Sequence, residues 1–175
     1  MLKPPAGARV AIIEFEDLEC PACAHSFPIV HQAAARYRIS GTSIVRYDFP
    51  LRIHVWSFDA AVYARWFQDK VSLSAANDYR ASVRASQQSI GGKEDLQSFT
   101  RKLATDHKVQ LPFVIDPAGD LANTIRSDYA LDTRLNVTQT PAIIVVTAQY
   151  YQQITGDPHD IYAAIEEAVA QTKLK

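Results

Sequence analysis

The sequence predicts an α/β fold, a mixed sheet carrying an inserted helical block. Three observations carry that prediction. An apolar run, a helical segment and a second apolar run follow one another over residues 8–49. Residues 51–135 show helical apolar spacing, with a break at Pro112, and read as a helical insertion. After Pro141, two β-branched runs and one last helical segment complete the chain. The division this implies is a discontinuous sheet domain, residues 1–50 and 136–175, around a helical subdomain at 51–135.

Each element has its own signal. Ala8-Arg9-Val10-Ala11-Ile12-Ile13 is an apolar run of the kind a buried strand shows. Residues 24–37 read as a helix, and Gly41-Thr42 as a break after it. Residues 43–49 are rich in β-branched and aromatic side chains and read as a second strand, ended by Pro50. A helix between two strands predicts parallel pairing in a right-handed unit. In the block, residues 57–70 form a helix with Phe58, Val62, Trp66 and Phe67 on one stripe. Ser72 or Ser74 caps the next, which reaches Ser89 and is anchored by Tyr79, Val83 and Ile90. Gly91-Gly92 stops it. Residues 93–107 follow, with Leu96, Phe99 and Leu103 at helical spacing. Asp116-Pro117, a cap followed by proline, opens a helix to residue 135 that carries Leu121, Ile125, Tyr129 and Leu131. The aromatic residues of the block read as its core. Residues 142–147 are a buried strand, with Pro141 at the start where proline is tolerated. Residues 149–154 are its hairpin partner. Gly156-Asp157-Pro158 turns into a last helix, with Ile161, Ile165 and Val169 toward the sheet.

The chemistry sits at Cys20-Pro21-Ala22-Cys23, between the first strand and the first helix. N–H groups in a helix's first turn lack intrahelical partners, and the dipole adds positive charge there. A thiolate at that point is stabilised, and its pKa falls from about 8.5 toward roughly 3.5–7.5. Pro21 suits the first helical position, because it has no N–H to lose. Cys20 reads as the attacking, partly exposed thiol, and Cys23, a turn deeper, as the resolving one. Other uses of the motif fit less well. A zinc site needs a second ligand pair, yet the chain has two cysteines in all, and His54, His107 and His159 lack the spacing for one. A c-type haem site needs His directly after the second Cys, where Ala24 stands. No metal is therefore expected. A C-x-x-C beside a strand–helix–strand unit reads as a thioredoxin-like redox motif.

Composition closes off other classes. The chain has 175 residues, 47% hydrophobic and 21% charged, enough for a core without staples. A net charge of −1 gives no electrostatic case for nucleic acid. No window approaches the roughly 18 apolar residues of a membrane span. Met1 to Gly7 shows no apolar signal-peptide core, which leaves a trimmed exported chain and a cytoplasmic one both open.

The chain resembles the DsbA-like branch of the thioredoxin superfamily, the thiol–disulfide oxidoreductases of bacterial cell envelopes. The resemblance covers essentially the whole chain. Its carriers are Glu14-Phe15 ahead of the cysteine motif, Phe49-Pro50-Leu51 with His54, and Val137-Thr138-Gln139-Thr140-Pro141 before the next strand. It implies a redox-active Cys20–Cys23 disulfide with no other cofactor, and an extracytoplasmic, periplasmic location. It implies a cis bond at Thr140-Pro141, where sequence alone gives about 5–6%. Thr140 and Pro141 would then present free backbone groups to an extended substrate. It also implies that Glu14 lies buried beneath the site, with its pKa raised, and exchanges a proton with Cys23.

Two features depart from the pattern. Strongly oxidising relatives often hold His between the cysteines; Ala22 offers neither charge nor hydrogen bond. The expectation is a Cys20 thiolate less stabilised than theirs and a less oxidising disulfide. Glu16, Asp17 and Glu19 form an acidic run before Cys20, which reads as a solvated loop or as a like-charge influence raising the thiol's pKa. His25 reads as a helix-surface residue. The function implied is disulfide exchange with substrate proteins or peptides, most simply as a disulfide donor reset by a membrane redox partner, in a monomer. The alternatives are a reductase or isomerase, or a redox-inactive peptide-binding module on the same fold.

Overall fold

The structure is a computed structural model and describes residues 2–39 and 43–173. The break expected at Gly41-Thr42 lies outside them. The chain runs β1 (Ala11–Glu16), α1 (Pro21–Arg36), β2 (Ile44–Asp48), α2 (Ser57–Lys70), α3 (Leu73–Ala85), α4 (Lys93–Asp106), α5 (Asp120–Leu135), β3 (Ala142–Val146), β4 (Tyr151–Ile154) and α6 (Ile161–Lys173). The four strands form one mixed sheet in the order β2-β1-β3-β4. β1 pairs with β2 in parallel, as a helical crossover requires, and with β3 antiparallel; β3 and β4 form a hairpin.

The pleat sorts the strand residues onto two faces. Ile12, Ile143 and Val145 pack with Ile29, Val30 and Ala33 of α1 and Ile161 and Ile165 of α6. Ile13, Phe15, Ile144 and Val146 pack on the other face with Phe49, Val137 and, from α5, Tyr129, Leu131 and Leu135. A third cluster lies among the helices, with Phe67, Tyr79, Val83 and Leu96 at its centre. Leu18 joins it from the β1–α1 turn, so the cysteine loop is anchored into the helical core.

Several elements depart from the sequence reading. β1 starts and ends three residues later than its apolar run, at Ala11–Glu16, because Glu14 and Glu16 are buried strand residues. On α2 Trp66 and Phe67 are buried as read, together with Ala60, Ala61, Tyr63 and Ala64, while Phe58 and Val62 lie at the margin. α3 ends at Ala85; Gln87–Ser89 is a separate 3-10 turn. Ser72, not Ser74, caps α3, accepting from the Ala75 N–H at 3.0 Å. α5 opens at Asp120 rather than at Pro117. Gly119, at φ +78°, turns the chain, and the Asp116 carboxylate reaches across to the N–H groups of Leu121 and Ala122. A short 3-10 turn, Pro158–Asp160, precedes α6.

A buried ionic network joins the helices to the sheet. Glu14 and Glu16 alternate onto one face of β1, opposite Arg46 and Asp48 of β2. Arg80 of α3 donates to Glu16 at 2.6 Å and to Asp48 at 2.7 Å, and Arg84 pairs with Glu16. Arg65 of α2 bridges Asp48, at 2.5 Å, and Asp128 of α5, at 2.8 Å. Burial pushes the Glu16 and Asp48 carboxyls up, but the surrounding guanidinium groups outweigh it and hold both below the usual range.

Candidate active site

Cys20 occupies the N-cap position of α1 and Pro21 the first helical position. Pro21 and Ala22 are exposed and form the rim of the site. Cys20, expected to be partly exposed, is 5% exposed, against 2% for Cys23. Access therefore does little to distinguish the two sulfurs. Their surroundings do.

Cys20 is held down to about 5. The hydrogen bond from the Cys23 thiol is the largest cause; burial opposes it, and the N–H groups of Cys23 and Ala22 reinforce it. Cys23 is pushed far up, first by that same bond to Cys20 and then by burial. One thiol is thus an anion at neutral pH and the other a firmly held proton donor. The two sulfurs are not bonded to each other in this structure.

Residues distant in sequence complete the site. The Thr140–Pro141 bond is cis, and the Thr140 carbonyl oxygen lies 3.5 Å from the Cys20 sulfur, across 120 positions of sequence. The Thr140 hydroxyl is buried with no hydrogen-bond partner among the described residues. Beside it a groove of about 440 Å³ is lined by Ala22, His25, Gln139, Thr140, Pro141 and Gln153. His25 is exposed on α1, as its position implied.

Glu14 is buried, with its carboxyl raised by burial against the opposing pull of Arg46, whose Nε lies 3.1 Å away. The acidic run is not a solvated loop. Glu16 belongs to the ionic network. The Glu19 carboxylate accepts from the Trp56 N–H at 2.7 Å. Asp17, 1% exposed, turns its carboxylate toward Leu51 and His54 while its N–H reaches the Cys23 sulfur at 3.5 Å. Gln87 was not read as a site residue; its side-chain amide donates to the carbonyls of Leu18 at 2.8 Å and Cys20 at 3.1 Å. No sequence signal marks it, since a glutamine in the last turn of a helix read as far as Ser89 is ordinarily solvated.

Two consequences are testable at once. Iodoacetamide should alkylate Cys20 alone in the folded, reduced protein. Its rate should rise through about pH 5 and level off above, following the thiolate. A midpoint near 8.5, the value of a free thiol, would show that the surroundings do not acidify it.

Among the described residues no His, Cys, Asp or Glu groups converge as a metal site, and no helix is long and apolar enough to cross a membrane. Residues 6–167 match the family model described as Thioredoxin. The chain belongs to the thioredoxin family. No curated protein matches this thioredoxin-family chain. Among solved structures it is similar to alpha-DsbA1 of Wolbachia pipientis, at 14% identity and a TM-score of 0.74, covering 97% of this chain and 92% of that one. It is also similar to a thioredoxin-like oxidoreductase from Silicibacter pomeroyi, at 18% identity, TM-score 0.68 and 99% and 91% coverage. A periplasmic thioredoxin-like protein from Salmonella enterica matches at 14% identity, TM-score 0.68 and 95% and 88% coverage. At these identities the likeness is one of fold: a DsbA-like thioredoxin fold, sheet and helical block together.

Proposed function

We propose that this protein is a thiol–disulfide oxidoreductase that exchanges disulfides with substrate proteins through Cys20 and Cys23, working as a disulfide donor. The observation that carries the reading is the opposed acidity of the two thiols, with Cys20 at about 5 and Cys23 pushed far up. In the donor direction a substrate thiolate attacks Cys20 of a Cys20–Cys23 disulfide. Cys23 leaves and takes up a proton, and a second substrate thiol then displaces Cys20. Stabilising the Cys20 thiolate stabilises the reduced form and so makes the disulfide the stronger oxidant.

Thr140 and Pro141 line the groove where an extended substrate segment would lie. Glu14, its carboxyl raised by burial, is the proposed proton store for Cys23. A monomer reset by a membrane redox partner fits this role, and a place outside the cytoplasm is proposed by analogy with the periplasmic neighbour. The test is the potential of the cysteine pair against a glutathione buffer. A value toward about −120 mV is expected for a donor; one near −270 mV, the thioredoxin end, would reverse the direction.

A further inference from the structure

We propose that Asp17 and His54 form a positioning pair for Cys23. They hold the Asp17 N–H on the Cys23 sulfur, so that negative charge there is stabilised as the disulfide opens and closes. The inference rests on the exchange reaction proposed above.

Asp17 ties two loops together. Its side chain is wholly buried. Oδ1 accepts from the Glu19 N–H at 2.7 Å, and Oδ2 accepts from the Leu51 N–H at 2.6 Å. The third partner is His54, whose Nδ1 lies 2.7 Å from Oδ2. With the carboxylate as acceptor, Nδ1 is the protonated nitrogen. His54 is itself fixed by its N–H on the Leu51 carbonyl, at 3.0 Å. The Asp17 backbone faces the chemistry: its carbonyl accepts from the Cys20 N–H at 3.2 Å, and its N–H points at the Cys23 sulfur at 3.5 Å. The side chain therefore anchors the residue so that the backbone can serve both cysteines. Removing the imidazole leaves a buried carboxylate short of one donor, a state the loop relieves by shifting.

Charge develops on Cys23 in both directions. In closure, Cys23 loses its proton, for which Glu14 is the proposed acceptor, and attacks Cys20 of the mixed disulfide. The Cys20–Cys23 bond forms, the Cys20–substrate bond breaks, and the substrate leaves as a thiolate that takes up a proton. In opening, Cys23 is the leaving thiolate. A fixed N–H aimed at that sulfur lowers both barriers without reorganising.

Stopped-flow oxidation of the reduced protein by dithiobis(nitrobenzoate) separates the steps. Attack by Cys20 releases one thionitrobenzoate, and closure by Cys23 releases the second. His54→Ala should slow the second phase about tenfold, the worth of one such hydrogen bond, and leave the first unchanged. His54→Asn, whose amide donates from near the Nδ1 position, should restore most of it. If His54→Ala does not fold, His54→Gln, which donates from the Nε2 position, takes its place with the same slowing. A second phase at the wild-type rate in the variant lacking the donor overturns the proposal. So does equal slowing of both phases, which marks a general loosening of the loop. A wild-type protein with no second phase would instead overturn the exchange reading itself.

Discussion

Replacing Cys20 with serine should abolish disulfide exchange, with a loss of about a thousandfold or more in the rate of substrate oxidation. The reason lies in the division of labour at the start of α1. Cys20 is an anion at neutral pH because the Cys23 thiol donates to it and the N–H groups of the first turn face it. A serine hydroxyl ionises many units higher, and nothing at the site brings it within reach of pH 7. Cys23 cannot take over, since its thiol is pushed up, not down. Cys23→Ser should behave differently. It should still attack a disulfide once and then stall as a mixed disulfide, visible as a mass increase that dithiothreitol reverses. Turnover surviving in Cys20→Ser would sink the assignment of the nucleophile.

The second large effect is on stability. Arg80→Met should destabilise the protein by about 3–5 kcal/mol at neutral pH, the cost of breaking a buried ion network from one side. Arg80 is 4% exposed and satisfies Glu16 and Asp48 together, so its removal leaves two buried carboxylates short of charge. The pH dependence has a definite sign. Both carboxyls titrate below their ordinary values in the folded state. Their pairing therefore contributes stability that is full above the unfolded pKa and is lost as pH falls through the folded one. The variant lacks much of that contribution, so its deficit should be greatest near pH 7 and should narrow as pH falls through about 4, where unfolded carboxyls take up protons. Urea unfolding at both pH values measures it. At about 2–4 °C per kcal/mol, the melting temperature should drop by roughly 10 °C. An unchanged midpoint at pH 7 would show that Arg65, Arg46 and Arg84 neutralise the two acids without it.

The network also shows where local reading stops. Glu16, Asp17 and Glu19 look like a solvated acidic run, because within a short window charged residues beside a loop usually are. Glu16 is neutralised by arginines 64 and 68 positions away, and Asp17 is hydrogen-bonded to a histidine 37 positions away. Burial of a charge is decided by whether a counter-charge arrives in three dimensions. No window of the sequence contains that information.

What the sequence alone determined was whatever depends on neighbours in the chain. Apolar spacing located every helix and strand, Pro21 at a helix start placed the cysteines at the N-terminus of α1, and the lack of a second ligand pair argued against zinc. These follow from backbone sterics, capping and periodicity, which act over a few residues. Tertiary structure decided the rest. It moved the opening of α5 past Pro117, because the Asp116 carboxylate caps across a glycine turn. It buried Cys20 as deeply as a core residue and brought Thr140 to its sulfur from 120 positions away. It also aimed the Asp17 N–H at Cys23 and the Gln87 amide at the Cys20 carbonyl. Those contacts depend on how the helical block packs against the end of the sheet, and that packing is a property of the whole chain.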